Sequence, residues 1–146
     1  MSEQKYESGV KQIAANADKV YAVLGNLNNI GRVMDLIPKD KVQDITCDHD
    51  SVRFKVDGLG QQLTVRIVDR EENKTLKFGI DNVPVQMNFW VQLKQVAEGD
   101  TRLKLTIKAE LPMMFKMMFD KKLQTGIEQA ADMLAQMPYN QWAETV

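Results

Sequence analysis

The chain has 146 residues, 44% of them hydrophobic and 27% charged, with 19 basic side chains against 20 acidic ones. That length fits a single domain, residues 1–146, with interior enough to fold without disulfide or metal support, and the near-neutral balance excludes the strong basic field that nucleic acid requires. The basic residues are also dispersed, alternating with apolar ones in "VRFKV" and "TRLKLTIK", which places them on the outer face of strands.

Cys47 is the single cysteine, so no disulfide forms within the chain and a reducing compartment is the simpler expectation. "MSEQKYESG" has neither a basic start nor an apolar run, and no stretch approaches the ~20 apolar residues of a membrane span. The sequence therefore predicts a cytoplasmic protein without a transmembrane segment.

In chain order, residues 4–14 carry strand-compatible residues with polar interruptions, and Asn16 or Asp18 then offers a helix cap. Val20, Val23, Leu24 and Leu27 follow at helical spacing, with Gly25 as the break. "NNIGRVMDLIP", residues 28–38, predicts a second short helix stopped by Pro38. From residue 41 the hydrophobic period becomes two and stays there for about seventy residues. It aligns Val52, Phe54 and Val56; Leu63, Val65 and Ile67; Leu76, Phe78 and Ile80. The two longest runs align Val85, Met87, Phe89, Val91 and Leu93, then Leu103, Leu105, Ile107 and Ala109. The breaks "CDHDS", "DGLG", "EENK", "DNVP" and "EGD" are turn chemistry and are too short for parallel crossovers of about a dozen residues, so neighbouring strands are antiparallel.

The order strand, two short helices, six strands and one long helix over residues 111–137 is α+β. Seven strands at ~4.8 Å make a sheet about 33 Å wide, whereas a helix is only ~10–12 Å across. The long helix therefore matches the sheet in length and not in breadth. A curved sheet can wrap it while the short helices close one side, leaving either packed core or cavity between the layers. On a helical wheel Phe115, Phe119, Leu123, Ile127, Ala130, Leu134 and Met137 share about one third of the circumference and face the sheet. Met114 and Met118 lie on the opposite side. As flexible, polarizable side chains they either pack under the short helices, pack against a second copy of the chain in a homodimer, or border the entrance to an apolar interior.

The stretches "KYESGVKQIAANADKVYAVLGNLNNI", "LIPKDKV", "VDGLG" and "KKLQTGIEQAADML", in that order and over nearly the whole chain, resemble the START-like (SRPBCC) superfamily. That superfamily has the helix-grip fold and includes the birch-pollen allergen, polyketide cyclases and lipid-transfer domains. The "IP" before the second strand and the "GLG" hairpin are more similar to its branch near the G-type subunits of carbon-monoxide dehydrogenase and the coenzyme Q-binding proteins. The plant allergens' glycine-rich loop has no counterpart, since "DGLG" is too short to cradle an anion.

The resemblance implies an internal apolar ligand site between a seven-stranded curved antiparallel sheet and the C-terminal helix. Its expected lining falls to Phe54, Val65, Phe78, Met87, Phe89 and Leu105 on the strands and to Leu24 on the first short helix. The long helix supplies Phe115, Phe119, Leu123 and Ile127, with Met114 and Met118 at a mouth, and Tyr21 and Arg32 sit at the rim as orienting polar groups.

Little in the sequence points to catalysis. "CDHD" brings together Cys47, Asp48, His49 and Asp50, but consecutive residues point in different directions and cannot close on one ion, so a solvated turn is expected. His49 is the single histidine and sits at that turn. No phosphate loop, paired zinc ligands or Rossmann glycine signature appears, so neither cofactor nor metal is expected. The inward strand positions hold no acid, base or hydroxyl, which leaves Tyr6, Ser8, Gln12, Tyr21, Asn28, Arg32, Asp35, Lys116 and Lys122 as the candidates for polar chemistry. Trp90 falls on the outer face, and "MPYNQWAETV" predicts a tail in which Trp142 docks on the body or a neighbour. The expected function is non-enzymatic binding or transport of a small apolar molecule, such as a lipid, isoprenoid or polyketide-like ring. Cyclase or aromatase chemistry and a protein-interaction module are the alternatives.

Overall fold

The computed structural model describes residues 2–29, 42–56, 62–81 and 86–143. The chain begins with strands β1 (Ser2–Glu7) and β2 (Lys11–Ile13) and helix α1 (Ala17–Leu24). Then come β3 (Val42–Cys47), β4 (Ser51–Val56), β5 (Gln62–Glu71), β6 (Thr75–Asp81), β7 (Met87–Ala97) and β8 (Asp100–Leu111). Helices α2 (Met113–Ala135) and α3 (Tyr139–Ala143) follow.

Each strand pairs antiparallel with its neighbours, in the order β1-β8-β7-β6-β5-β4-β3, and β2 lies beside the other end of β8. The first strand, which the sequence predicts as one run over 4–14, is thus two. Ser8 explains the break: its backbone N–H donates to the Leu105 carbonyl at 2.9 Å, and its hydroxyl oxygen accepts the Leu105 N–H at 2.9 Å. The side chain stands where the backbone carbonyl of a continuous strand would be, so the ladder is satisfied while the chain turns aside.

The two-residue period holds across the sheet, because inward residues pair with inward residues: Val52 with Val65, Phe78 with Phe89, and Leu93 with Leu103. Register shifts interrupt it at Gln43/Thr46, Ile67/Asp69 and Gln95/Ala97. Such irregularities bend a strand and increase its twist, which is how an antiparallel sheet acquires curvature. At the first of them Asp44 takes a φ of 54°, a left-handed conformation that a short polar side chain tolerates.

Helix α2 lies against β8, β1 and β2, and α1 packs between β7 and α3. The inner face of β4 to β7 is therefore shared by α1 and the C-terminal end of α2, as the mismatch in breadth requires. The main core gathers Ile13, Val20, Val23, Leu76, Leu103, Ala131 and Tyr139, and a smaller cluster of Tyr6, Ala109 and Leu111 sits under the start of α2.

Residues 139–143 are not a loose tail. Tyr139 is 1% exposed and its hydroxyl donates to the Leu134 carbonyl at 2.6 Å, while Trp142 packs on the main core. Burial of a large ring with its hydroxyl satisfied is what turns this segment into α3. The expected second short helix, residues 28–38, lies outside the described residues beyond Asn29, and with it Arg32 and Asp35. The "DGLG" turn, Val85 and all but Asp81 of "DNVP" are likewise outside them.

Candidate functional site

A cavity of about 330 Å³ lies between α1, the sheet and the end of α2. Val23 and Leu24 of α1 and Asn26, Leu27 and Asn29 of the turn after it form one wall. Val52, Val65, Phe78, Phe89 and Val91, from β4 to β7, form the second, and Met133, Leu134 and Met137 form the third. The strand wall is continuous because its residues are cross-strand partners on one face. Phe78 and Phe89 stack face on face within it, their centroids 4.4 Å apart and their planes 4° from parallel.

The polar side chains in this lining belong to Asn26 and Asn29. Asn29 Nδ2 donates to the Val23 carbonyl at 2.9 Å, and Asn26 Oδ1 accepts from the Asn28 N–H at 3.1 Å. Both amides thus hold the turn that carries them. Among the described lining residues none is titratable.

The "CDHD" turn acts on this site indirectly. Asp48 accepts the N–H groups of Asp50 and Ser51 at 2.9 and 2.8 Å, which holds its carboxyl below the usual range, the bond from Asp50 contributing most. Asp50 is held low by Arg70, which donates to it and also, at 3.2 Å, to the Gly25 carbonyl at the C-terminus of α1. The Leu27 N–H donates to the His49 carbonyl at 3.0 Å. The hairpin is therefore a clasp that fixes the α1 wall of the cavity. No group of three or more His, Cys, Asp or Glu side chains among the described residues is placed to hold a metal ion.

Of the residues singled out from sequence, Leu24, Val65, Phe78 and Phe89 line the cavity. Tyr21, Phe54, Leu105 and Ile127 belong to the packed core around it. Met87, Phe115 and Leu123 pack instead on the smaller cluster. Met114 and Met118 are exposed, and Phe119 is 37% exposed, so the expected mouth at the start of α2 does not adjoin this cavity. The reason is axial distance: at ~1.5 Å per residue, Met118 lies about 22 Å along α2 from Met133. Sequence reasoning passed over Val23, Asn26, Leu27, Asn29, Val52, Val91, Met133, Leu134 and Met137, although periodicity already placed Val52, Val91, Leu134 and Met137 on inward faces.

Among the described polar candidates, Tyr6 and Lys122 make contacts away from the cavity. The Tyr6 hydroxyl donates to Asp120 Oδ1 at 2.7 Å; burial first, then this bond and the aspartate's charge, push its pKa up to about 12. Lys122 lies 6.0 Å over the Phe119 ring. Trp90 is on the outer face, with Lys77 and Lys108 at 5.4 and 5.6 Å from its ring.

No family model matches the chain, and no curated protein matches it. Solved structures do. A point mutant of norcoclaurine synthase from Thalictrum flavum, in complex with a transition-state analogue, superposes with a TM-score of 0.71 at 14% identity, over 99% of this chain and 96% of that one. The chain has the helix-grip fold. A helix-grip protein from Thermobifida fusca matches with a TM-score of 0.64 at 13% identity, over 94% and 93% of the two chains. The Aha1 dimer from Colwellia psychrerythraea matches at 0.58 and 16%, over 93% and 98%. Identities this low speak to the shared fold and not to shared chemistry. Among the described residues no helix is long and apolar enough to cross a membrane.

Proposed function

We propose that this protein binds a small apolar molecule, without transforming it, in the cavity between sheet, α1 and the end of α2. The observation that carries the proposal is the lining: eleven aliphatic, aromatic or methionine side chains and two asparagines surround about 330 Å³, near the lower end of the ~300–1,000 Å³ usual for ligand sites. That volume favours a compact ligand, such as an isoprenoid or polyketide-like ring. Cyclase chemistry needs a proton donor or acceptor at the ligand, and the described lining residues supply none. Within the START-like superfamily we place the chain near the branch of the G-type carbon-monoxide-dehydrogenase subunits and coenzyme Q-binding proteins, on the strength of "LIP" and "GLG". The exposed, unpaired Cys47 supports a cytoplasmic setting.

The test pairs organic extraction with cavity filling. Protein purified from its native host should yield one reproducible apolar compound near equal stoichiometry by mass spectrometry. Val65→Trp, which places an indole in the strand wall, should weaken binding of a fluorescent apolar probe at least about tenfold while the circular dichroism spectrum is kept. Empty extracts together with unchanged probe binding by Val65→Trp would sink the proposal.

A further inference from the structure

The first two turns of α2 present a surface that the cavity does not use. Met113, Met114, Met117 and Met118 are 75%, 71%, 80% and 58% exposed. At ~100° per residue they span about 140° of one helix face, roughly opposite Leu123, so they form a contiguous patch and not scattered apolar residues. Phe119, 37% exposed, lies toward the sheet-facing side, stacked on Phe115 with centroids 6.1 Å apart.

The charged side chains that α2 itself sets beside the patch are mainly basic. Lys116 lies on one flank, Lys122 on the other, and Lys121 follows Met117 and Met118 in the next turn. Asp120 is the single acid in the run "MMFKMMFDKKL", and its carboxylate accepts the Tyr6 hydroxyl on the buried side. Pro112 at the N-cap brings no capping side chain, and the first turn has no acidic residue, so the helix itself supplies no group that neutralises the positive end of its dipole.

We infer that this face docks on an anionic lipid bilayer. An interfacial helix combines apolar side chains, which enter the boundary between headgroups and acyl chains, with lysines that meet the negative surface. A protein partner fits less well, because lysine is depleted at protein interfaces and the patch has no tryptophan, tyrosine or arginine to act as an anchor. A two-fold copy of this chain fits less well too, since it would set Lys121 and Lys122 against themselves. The inference goes beyond the cavity reading and does not depend on it.

Flotation with vesicles tests it. The protein should float with phosphatidylcholine vesicles carrying about 30% phosphatidylserine, far less with phosphatidylcholine alone, and progressively less as salt rises. Lys121→Gln and Lys122→Gln should each weaken binding about fivefold. The combined Met113→Gln, Met114→Gln, Met117→Gln, Met118→Gln variant should weaken it at least about tenfold with an unchanged melting curve, because the side chains it alters are exposed. Should that variant unfold, the two lysine variants decide the matter. Val65→Trp should float like the parent, which separates this surface from the cavity. Failure to float with the anionic vesicles at low salt overturns the inference. So does binding indifferent to these variants, or concentration-dependent self-association abolished by the methionine substitutions.

Discussion

Helix α2 begins with four methionines open to solvent and ends with Ile127 and Ala131, which are 4% and 0% exposed, before it walls the cavity through Met133 and Leu134. Both halves contain apolar residues at helical spacing, so propensity and period do not distinguish them. Their surroundings do. The later turns lie beside β2 and β8, with α1 and α3 close by, whereas the early turns bury only one side against Tyr6, Ala109 and Leu111. An apolar residue on a helix becomes core when something stands opposite it at that height, and otherwise becomes surface available to a partner.

The comparison can be broken most forcefully at Ile127. Ile127→Ala removes a buried side chain and should cost about 2–5 kcal/mol in urea-induced unfolding. A cost below about 1 kcal/mol would show that the later turns are as loosely covered as the early ones. Tyr6→Phe probes a hydrogen-bonded anchor under the early turns. Loss of its bond to Asp120 should cost about 1.5 kcal/mol, the low end for a charged partner, because Asp120 is partly exposed and keeps some hydration.

The same tyrosine predicts an alkaline signature. Its pKa of about 12 in the folded chain lies above the ordinary 10.0, so above pH 10 the unfolded chain sheds a proton that the folded chain retains. Stability is fully present below pH 10 and falls as pH rises through about 12. Burial raises Tyr139 in the same direction. Tyr6→Phe should flatten part of this slope, and unfolding midpoints measured from pH 9 upward check it; a slope identical to the parent's would contradict the assignment.

Smaller effects sharpen the contrast. Lys11 pairs with Glu128 and Asp132 at 2.9 Å each and ties β2 to the later turns of α2, while Glu128 also accepts the Gly9 N–H. These groups are partly solvated, so Lys11→Ala should lower the unfolding midpoint only slightly, and less at high salt. Met117→Ala should change stability by no more than about 0.5 kcal/mol. A larger loss would mean that the methionine face is covered in the free protein.

The strands were legible because each inward row is a run of residues at period two, and cross-strand pairs such as Val91 with Leu105 leave the sheet little freedom of register. The break at Ser8 was not, since a hydroxyl that replaces a carbonyl looks like any polar residue in a strand. Nor was α3 legible, because the burial of Tyr139 depends on α1, which lies far away in sequence. For the cavity, periodicity identified the face that Phe78, Phe89 and Leu134 share but not the height at which the layers part. The α1 wall there is tied to the sheet through Asp50, Arg70 and Gly25, three residues whose meeting no local pattern announces.

The pairing of β1 and β2 with β8 also bears on how the chain is made. A ribosome releases those opening strands about a hundred residues before the strand they join, so during synthesis they wait as unpaired edges, a state open to aggregation. Sheet closure is then governed by contacts between distant parts of the sequence, of which Ser2 with Leu111 is the extreme, and such topologies fold slowly. Nascent chains stalled before Asp100 should recruit chaperones, and those extended past Leu111 with α2 free of the exit tunnel should let them go.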